Sequence, residues 1–339
     1  MGINVLYSSS DSYMKCTSIS LCSLFENNKD IEDLRITIMS SDVSEANIKK
    51  INDLAKCYNR DVKIIDASDQ LESFAKSLDL KPFRGSYAVY ASLILEEILP
   101  EVDKVLMIDS DTLVVGSIRS LWQLSLEGNV MAAVPEIGLY SKISSSEDYD
   151  VLYKSDLYFN TGVILYDLKA WRENKIGNII SECIRKHNKE FKIVDQTILN
   201  LAINDKIYPL ELKYNYYTAV HGIKYKTMRS HFPVKSVFSE VEFSDAHSSP
   251  VIIHFVGFPF ERPWFRKGQT PYKDVYISYL QKTSWKDEPL EEYKKNKNFV
   301  FLIYDEISVF LRKHSFYNFY HWYRYVFGQY IKKLTRTSR

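Results

Sequence analysis

The first 112 residues alternate short apolar runs with amphipathic stretches of helix length, and this alternation constrains the fold most strongly. The apolar runs are "INVLYSS", "LRITIMSS", "DVKIIDA" and "KVLMIDSD". The helical stretches include "SEANIKKINDLAKCYN", where Ser44 is a cap, and "SYAVYASLILEEILP", which ends at Pro100. Strands separated by helices of this length predict βαβ units and a mostly parallel sheet.

Further strands are predicted in the middle of the chain. They are "VMAAVPEI", "LYFNTGVILYDL" and the late run "VIIHFVG". The polar segment "GLYSKISSSEDYDVLYKSD" separates the first two, and we expect it to form a mobile loop over the site.

Composition narrows the class of protein. The 339 residues are 45% hydrophobic and 26% charged, with a formal net charge of +1. These values exclude a disordered chain and a partner bound mainly through overall charge. Four scattered cysteines without a CxxC pair argue against a disulfide framework or a zinc site and favour a reducing compartment. We expect no signal peptide, since "MGINVLYSSS" lacks a basic region followed by an apolar core, and no run is long enough to span a membrane.

The character of the sequence changes after about residue 285. "DEPLEEYKKNKN" is charged and linker-like, and no acidic residue follows Glu306. A basic helix with an aromatic face is typical of the headgroup layer of an anionic membrane, so we assign residues 307–339 to membrane association. The alternative is a terminal helix docked on the core, and nothing else in the chain supports a nucleic-acid arm. The aromatic face comprises Phe316, Tyr320, Tyr323, Phe327 and Tyr330, and the basic residues are Arg312, Lys313, Arg324, Lys332, Lys333, Arg336 and Arg339.

Two aspartates end the fourth predicted strand. In an extended chain residues two apart point the same way, so Asp109 and Asp111 can reach one ion. Ligands often collect beyond the carboxyl ends of parallel strands, where these residues and the segment Ser8–Tyr13 both lie. Carboxylate oxygens suit Mg²⁺ or Mn²⁺, which can neutralise a diphosphate. His254, at the end of another strand, could add a third ligand that favours Mn²⁺, although a lone histidine there is more often structural.

Two other polar groups lie among apolar residues. Asn160 precedes a buried strand, and Asp195 with Gln196 begins an apolar helix. Asp195 could simply be a helix cap, which needs no function.

The motifs "VLMIDSDTLV", "YFNTGVILYDLKAW", "DQTILN" and "HFVGFPFERPW", in this order, resemble glycosyltransferase family 8, the family of bacterial lipooligosaccharide galactosyl- and glucosyltransferases and of glycogenins. The resemblance runs from residue 3 to about 275. It implies the GT-A fold, a UDP-sugar donor, Mn²⁺ and retention of the anomeric configuration. By matching position it assigns Asp109, Asp111 and His254 to the metal, with Ser110 between the aspartates; Ser8, Ser10, Ser12 and Tyr13 to the uridine; Asn160, Asp195 and Gln196 to the donor sugar and catalysis; and Gly257 and Arg262 to the diphosphate.

The chain departs from the family pattern at two places. Ser10 and Ser12 stand where an Asp and an Asn are usual, and Asp11 is a candidate substitute. Ser92 stands where many members have an arginine near the sugar and phosphates, and Arg84 is a candidate to compensate for it.

These observations together predict an α/β protein of GT-A type, with a Rossmann-like, mixed but mostly parallel sheet flanked by helices. Residues 1–275 form the transferase domain, with a nucleotide-binding half (1–112) and a sugar and acceptor half (113–275), and residues 276–339 form a helical basic-aromatic tail. The expected function is Mn²⁺-dependent transfer of galactose or glucose from a UDP-sugar to a hydroxyl of a cell-surface glycan or glycolipid, forming an α-linkage. Such an enzyme is expected in the cytoplasm, on the inner face of the plasma membrane, and truncation after about residue 305 is expected to spare transfer to soluble acceptors.

Two other interpretations fit parts of the pattern. "MIDSDTLV" resembles the first motif of haloacid-dehalogenase-type phosphatases, but that motif normally opens a domain, and here about a hundred residues precede it. A non-catalytic sugar-nucleotide-binding protein would explain Ser92.

Overall fold

The computed structural model describes residues 2–82, 86–137, 157–187, 194–231, 238–257, 259–293 and 299–327, and the structural statements below concern these residues. The polar segment 138–156, expected to cover the site, lies outside them, as does Arg84.

A seven-stranded sheet forms the centre of the molecule, with the strand order β3-β2-β1-β4-β7-β6-β8. The β3-β2-β1-β4 neighbours are parallel, β7 runs antiparallel to both β4 and β6, and β8 is parallel to β6. The prediction of a mixed, mostly parallel sheet is therefore confirmed. The strands are β1 (Ile3–Ser10), β2 (Leu34–Ser41), β3 (Val62–Asp66), β4 (Lys104–Ile108), β5 (Thr112–Val114), β6 (Met131–Pro135), β7 (Phe159–Asp167), β8 (Ile207–Pro209), β9 (Tyr216–Tyr217) and β10 (Ile252–His254).

Helices cover both faces of this sheet, because alternate residues of its central strands are apolar on opposite sides. In β4, Leu106 and Ile108 pack into one core cluster, and Val105 and Met107 pack into the other. Ser44 caps α2 as expected, accepting a hydrogen bond from the backbone N–H of Asn47. The helices are α1 (Met14–Asn27), α2 (Glu45–Cys57), α3 (Ser68–Ser77), α4 (Leu95–Ile98), α5 (Arg119–Gln123), α6 (Leu168–Glu173), α7 (Ile176–His187), α8 (Val194–Ile203), α9 (Tyr225–His231), α10 (Glu240–Ser248), α11 (Lys273–Leu280), α12 (Phe299–Lys313) and α13 (Tyr317–His321).

The stretch before Pro100 differs from the expected continuous helix. It forms a 3₁₀ helix over Ala88–Leu93 and then the single turn α4. Its buried residues, among them Tyr90, Leu93 and Leu95, fill the core around α3 and β7. Residues 88–98 therefore pack against α3 and β7 as two short helical pieces, where the pattern predicted one continuous helix.

A second sheet of three strands, in the order β5-β10-β9, lies beyond the carboxyl end of β4. In it β10 runs antiparallel to β5, and His254 pairs with Thr112. Because Thr112 follows Asp111 directly, this register places the late histidine beside the aspartates although more than a hundred residues separate them.

The predicted boundary at residue 275 falls inside α11, whose Tyr276 and Leu280 belong to the main core. The charged segment that follows also packs on the domain. The backbone of Glu291 bonds to Trp264 and Arg266, and Lys50 bonds to Glu288. The main domain therefore extends to at least residue 293.

Residues 299–327 form a hairpin, here called the C-terminal hairpin, made of α12, α13 and a π-helical turn at Trp322–Phe327. The hydroxyl of Tyr304 donates to the backbone carbonyls of Tyr323 and Arg324, which holds the two arms together. Within the described part of the chain, no helix has the length and hydropathy needed to cross a bilayer.

Candidate active site

The D-x-D turn directly follows the carboxyl end of β4. The backbone N–H of Asp109 donates to the carbonyl of Gly162 on β7 (2.8 Å), and the Thr112 hydroxyl donates to the carbonyl of Asp109 (2.8 Å). The hydroxyl of Ser110 donates to the carbonyl of Ser8 (3.1 Å) and pairs with Thr17. Ser110 is thus used to fasten the turn to β1 and α1.

The two aspartates and His254 form one cluster. His254 Nε2 lies 3.2 Å from Asp111 Oδ1 and 3.8 Å from Asp109 Oδ2. One ligand atom from each of the three residues falls within 4.8 Å of the others. The structure therefore brings together the three residues predicted to bind a metal.

The cluster is open on the side of Asp109. The exposed fraction of the side chain is 45% for Asp109, 17% for Asp111 and 5% for His254. Burial and the neighbouring charge of Asp111 raise the pKa of Asp109. Burial also opposes ionisation of Asp111 and His254, yet their mutual attraction and hydrogen bond lower the pKa of Asp111 and raise that of His254. The charged forms of Asp111 and His254 therefore stabilise each other, while the negative charge of Asp111 opposes ionisation of Asp109.

A buried chain of hydrogen bonds orients His254. Its Nδ1 lies 2.9 Å from Asn215 Oδ1, Asn215 Nδ2 donates to Asn160 Oδ1 (2.7 Å), and Asn160 Nδ2 donates to Glu136 Oε2 (2.7 Å). Since the Asn215 oxygen only accepts, Nδ1 of His254 carries a proton in either charge state, and Nε2 faces the aspartates. Sequence reasoning missed Asn215 and Glu136. It placed Asn160 at the donor sugar, where the structure shows an amide already bonded to protein groups.

Gly162 leaves room for the imidazole. Its N–H donates to Asn160 Oδ1 (2.9 Å), and a Cβ built on it would overlap the His254 ring. A side chain at this position would displace His254, so the glycine of "FNTG" is a requirement of the site.

A second polar group lies at the start of α8. Asp195 is the second residue of this helix and not its cap, and its Oδ2 accepts from the Ser92 hydroxyl (3.0 Å). Burial raises the pKa of Asp195 to about 6. Gln196 Oε1 accepts from the backbone N–H of Thr161 (3.2 Å), whereas its buried Nε2 has no hydrogen-bond partner among the described residues. That nitrogen is a donor without an acceptor, as expected of a group that meets a ligand.

The loop after β1 is hydrogen-bonded to the start of α2. Asp11 Oδ1 accepts from the backbone and side chain of Ser44 and from Asn47 Nδ2, at 2.8–2.9 Å. The backbone hydrogen bond from Ser44 is the main cause of the lowered pKa of Asp11. This carboxylate oxygen therefore supports the start of α2, while the hydroxyls of Ser10 and Ser12 pair with each other (3.1 Å).

Arg262 connects this loop with the late strand. Its Nη1 donates to the Tyr13 hydroxyl (3.4 Å), and its guanidinium lies 5.2 Å from the Trp264 ring centre. The charge of Arg262 contributes to the lowered pKa of Asp111. Arg262 Nε is buried without a hydrogen-bond partner in the described residues. Gly257, with φ of +130°, begins the segment that delivers this arginine.

Known proteins resemble this chain in sequence. The sequence model described as "Glycosyl transferase family 8" matches residues 4–268. "General stress protein A" of Bacillus subtilis (strain 168) is 22% identical over 287 residues, which cover 84% of this chain and 94% of that protein. "Lipopolysaccharide 1,2-glucosyltransferase" of Escherichia coli (strain K12) is 25% identical over 291 residues, which cover 84% of this chain and 80% of that protein.

A solved structure shares the fold. The galactosyltransferase LgtC, in complex with donor and acceptor sugar analogues, superposes with a TM-score of 0.66 at 21% identity, covering 83% of this chain and 96% of that one. This likeness establishes the GT-A architecture of the described chain.

Proposed function

The chain belongs to glycosyltransferase family 8, and on that premise we propose that it transfers a hexose, galactose or glucose, from a UDP-sugar to a hydroxyl of a cell-surface glycan or glycolipid, forming an α-linkage. The observation that carries this proposal is the cluster of Asp109, Asp111 and His254 at the carboxyl end of the sheet. Arg262, close to this cluster, is suited to bind a diphosphate. Gln196 Nε2, which has no hydrogen-bond partner among the described residues, is suited to bind a ligand rich in hydroxyls. The family match also argues against a phosphatase. In that class of enzyme the D-x-D motif opens the domain, whereas here the matched domain begins about a hundred residues before the motif.

The donor set fits a divalent cation, with Mn²⁺ preferred and Mg²⁺ as the alternative. Two carboxylates and one imidazole offer two hard oxygen ligands and one nitrogen ligand, and this combination suits Mn²⁺. Asn215 already holds His254 in the tautomer that a metal needs. Asp109, Asp111 and His254 would hold the ion, which when bound would neutralise the negative charge that builds up on UDP.

The chain's own residues bind and orient the donor. Arg262, held by Tyr13 and Trp264, offers a fixed positive charge to the diphosphate. Asp195, held by Ser92, accepts hydrogen bonds from sugar hydroxyls, and Gln196 Nε2 donates to the sugar. Ser8, Ser10 and Ser12 are assigned to the nucleoside; the Ser8 hydroxyl donates to the carbonyl of Ala88 (3.3 Å), and those of Ser10 and Ser12 pair with each other.

The configuration of the anomeric carbon is retained because the acceptor attacks that carbon from the same face that UDP leaves. An amide is a poor nucleophile, so Gln196 does not form a covalent adduct as the carboxylate of a retaining glycosidase does. The acceptor oxygen forms its bond to the anomeric carbon as the bond to the β-phosphate oxygen breaks, and UDP departs with the electron pair. The acceptor's hydroxyl proton passes to the departing diphosphate on that face. Trapping of a glycosyl group on Asp195 would overturn this preference.

The C-terminal hairpin supports attachment to an anionic membrane, but with a different aromatic face from the one predicted. Tyr320 and Tyr323 are buried on the domain, and Arg312 and Arg324 are buried in ion pairs, so these four are not available to lipid. The side chains of Phe327 and Tyr330 lie outside the described residues. The exposed apolar residues, here called the outer patch, are Ile303, Ile307, Phe310, Phe316, Phe319 and Trp322.

The outer patch combines apolar area with positive charge. The centre of the His314 ring lies 4.5 Å from that of Phe310 and 6.5 Å from that of Phe316, both in tilted contact, which joins the two arms of the patch. Exposed Lys313 lies beside it, and the sequence beyond residue 327 adds Lys332, Lys333, Arg336 and Arg339 without an acidic residue. Aromatic side chains with cations nearby are typical of the headgroup layer, so we place the enzyme on the inner face of the plasma membrane.

UDP release in the presence of Mn²⁺ with a panel of UDP-sugars tests the proposal. Turnover with UDP-galactose or UDP-glucose, followed by NMR of an α-linked product, is the expected result. Mn²⁺-dependent UDP binding without turnover of any donor would favour the non-catalytic alternative. Phosphate release without UDP from a phosphorylated substrate would revive the phosphatase.

A further inference from the structure

A fully buried carboxylate lies next to the residue proposed to bind the diphosphate. Glu261 has an exposed fraction of 0%, and two residues of the C-terminal hairpin bond to it. Arg312 Nη1 donates to Glu261 Oε1 (2.9 Å), and the Tyr320 hydroxyl donates to the same oxygen (2.7 Å). A buried carboxylate is costly unless it is hydrogen-bonded, so the hairpin supplies part of what stabilises Glu261 in the interior.

Glu261 also fixes the segment that carries Arg262. It ends the 3₁₀ turn Pro259–Glu261, and the backbone N–H of Arg262 closes that turn on the carbonyl of Pro259 (3.2 Å). On its other side the carboxylate packs against Gly257, where a Cβ would overlap Glu261 Oε2. This one side chain therefore contacts Gly257 on one side and the hairpin on the other, and it belongs to the turn that Arg262 closes.

The hairpin grips the same segment at a second point. Arg312 Nε donates to the carbonyl of Gln269 (3.0 Å), and the backbone N–H of Gln269 donates to the carbonyl of Phe260 (2.6 Å). Phe260 is buried in a cluster with Tyr304, Leu311, Tyr320 and Tyr323 of the hairpin. Residues 259–269, here called the donor loop, are thus bound by Arg312 at both ends.

We propose that the C-terminal hairpin is part of the donor site, with Arg312 and Tyr320 acting as positioning residues for Arg262 through Glu261. This inference rests on the proposed function, because it assigns Arg262 to the diphosphate. Arg312 bonds to Glu261 and Gln269, and its role is assigned through them. Its effect reaches the site because the guanidinium of Arg262 keeps its place beside Tyr13 only while the donor loop is held.

The test compares Arg312→Met with a matched control, Asp305→Asn. Asp305 pairs with Arg324 inside the hairpin (2.9 Å), and Arg324 lies 5.0 Å from the ring centre of Phe260. The control therefore breaks a buried arginine pair beside the donor loop while leaving the bonds of Arg312 to Glu261 and Gln269 in place. Two readouts are used on the full-length protein: hydrogen exchange of a peptide covering residues 259–269, and UDP affinity in Mn²⁺ by calorimetry.

Faster exchange of the donor loop and about tenfold or greater weakening of UDP binding are expected in Arg312→Met, as for other residues that orient a site from behind. Asp305→Asn should change neither. In activity assays KM for the donor should rise more than kcat falls. If both variants lose the same thermal stability while exchange and UDP affinity stay as in the wild type, the pair is merely structural and the inference is overturned.

A double variant covers the case in which Arg312→Met does not fold. Glu261→Gln with Arg312→Met removes both charges together and so leaves no unpaired ion in the interior. A folded double variant with faster donor-loop exchange supports the inference, and one with wild-type exchange and UDP affinity refutes it. A failure of the proposed function would show differently, as no UDP binding by the wild type, and the exchange comparison would then decide the inference alone.

Discussion

Replacing Gly162 by alanine should damage the cluster of Asp109, Asp111 and His254 while keeping all three side chains. The added methyl would overlap the His254 ring, 2.5 Å from Nδ1, and would lie 3.0 Å from Asn160 Oδ1. The ring cannot retreat freely, because it is buried and Asn215 holds its Nδ1. The backbone cannot retreat either, since Gly162 is bonded through its carbonyl to Asp109 and through its N–H to Asn160.

The expected magnitudes follow from this confinement. Forcing one extra methyl into a packed interior costs about 1–3 kcal/mol, which is a shift of a few degrees in the melting temperature. Displacing one of three ligands from its orientation should weaken Mn²⁺ binding about 10- to 100-fold. Titration calorimetry of the nucleotide-free protein with Mn²⁺ measures the second effect, and thermal unfolding measures the first.

Gly116→Ala is the matched control. It adds the same methyl outside the cluster, where the nearest heavy atom is 3.3 Å away, and should leave Mn²⁺ affinity unchanged. If Gly162→Ala binds Mn²⁺ as tightly as the wild type, then His254 does not need its observed position to hold the ion, and the reasoning fails.

Three further variants test separate parts of the proposal. Asp111→Ala should abolish metal-dependent UDP release with an unchanged circular dichroism spectrum, and full activity would contradict the metal role. Asp195, whose pKa burial raises to about 6, destabilises the fold as pH rises through that value. The free energy of unfolding of the wild type, relative to Asp195→Asn, should therefore fall by about 2 kcal/mol from pH 4 to pH 7 in urea titrations without metal, and a constant difference would show that Asp195 is not desolvated. Phe319→Ser with Trp322→Ser should weaken binding to anionic vesicles at least about tenfold and spare transfer to a soluble acceptor, since both rings are exposed. Unchanged vesicle sedimentation would reject the outer patch as the membrane contact.

The sequence was sufficient for the parts of the site that lie on strong local patterns. Asp109 and Asp111 follow a run of four apolar residues, and His254 ends another such run, so strand ends could be predicted and their meeting inferred from sheet topology. Which groups surround them was not predictable. Asn215 and Glu136 are single polar residues among apolar ones, and nothing local distinguishes a residue that orients a histidine from one that ends a strand.

The tail shows a different limit. Helical spacing correctly indicated an amphipathic segment, but Phe316, Tyr320 and Tyr323 were assigned to one face, and only the first of these three is exposed. Periodicity indicates that a helix has an apolar face, but it does not indicate which surface that face packs against. Here the pairing of Arg312 with Glu261 helps to determine which side of the hairpin packs on the domain. The two residues lie 51 positions apart, and a pairing over that distance leaves no periodic signal in the sequence.

The two faces of the C-terminal hairpin also change how membrane attachment has to be tested. Truncation after residue 305 was expected to release the enzyme from vesicles and leave transfer to soluble acceptors intact. The same cut removes Arg312 and Tyr320, and with them two hydrogen bonds to the buried carboxylate of Glu261 behind the donor loop. A truncated enzyme that lost activity would therefore say nothing about lipid. Because Phe319 and Trp322 point outward while Arg312 points inward, point variants separate the two effects. The outer pair should change vesicle binding at constant UDP affinity, and Arg312→Met should change UDP affinity at constant vesicle binding. A variant of either class that altered both measurements equally would show that the two faces of the hairpin are not independent.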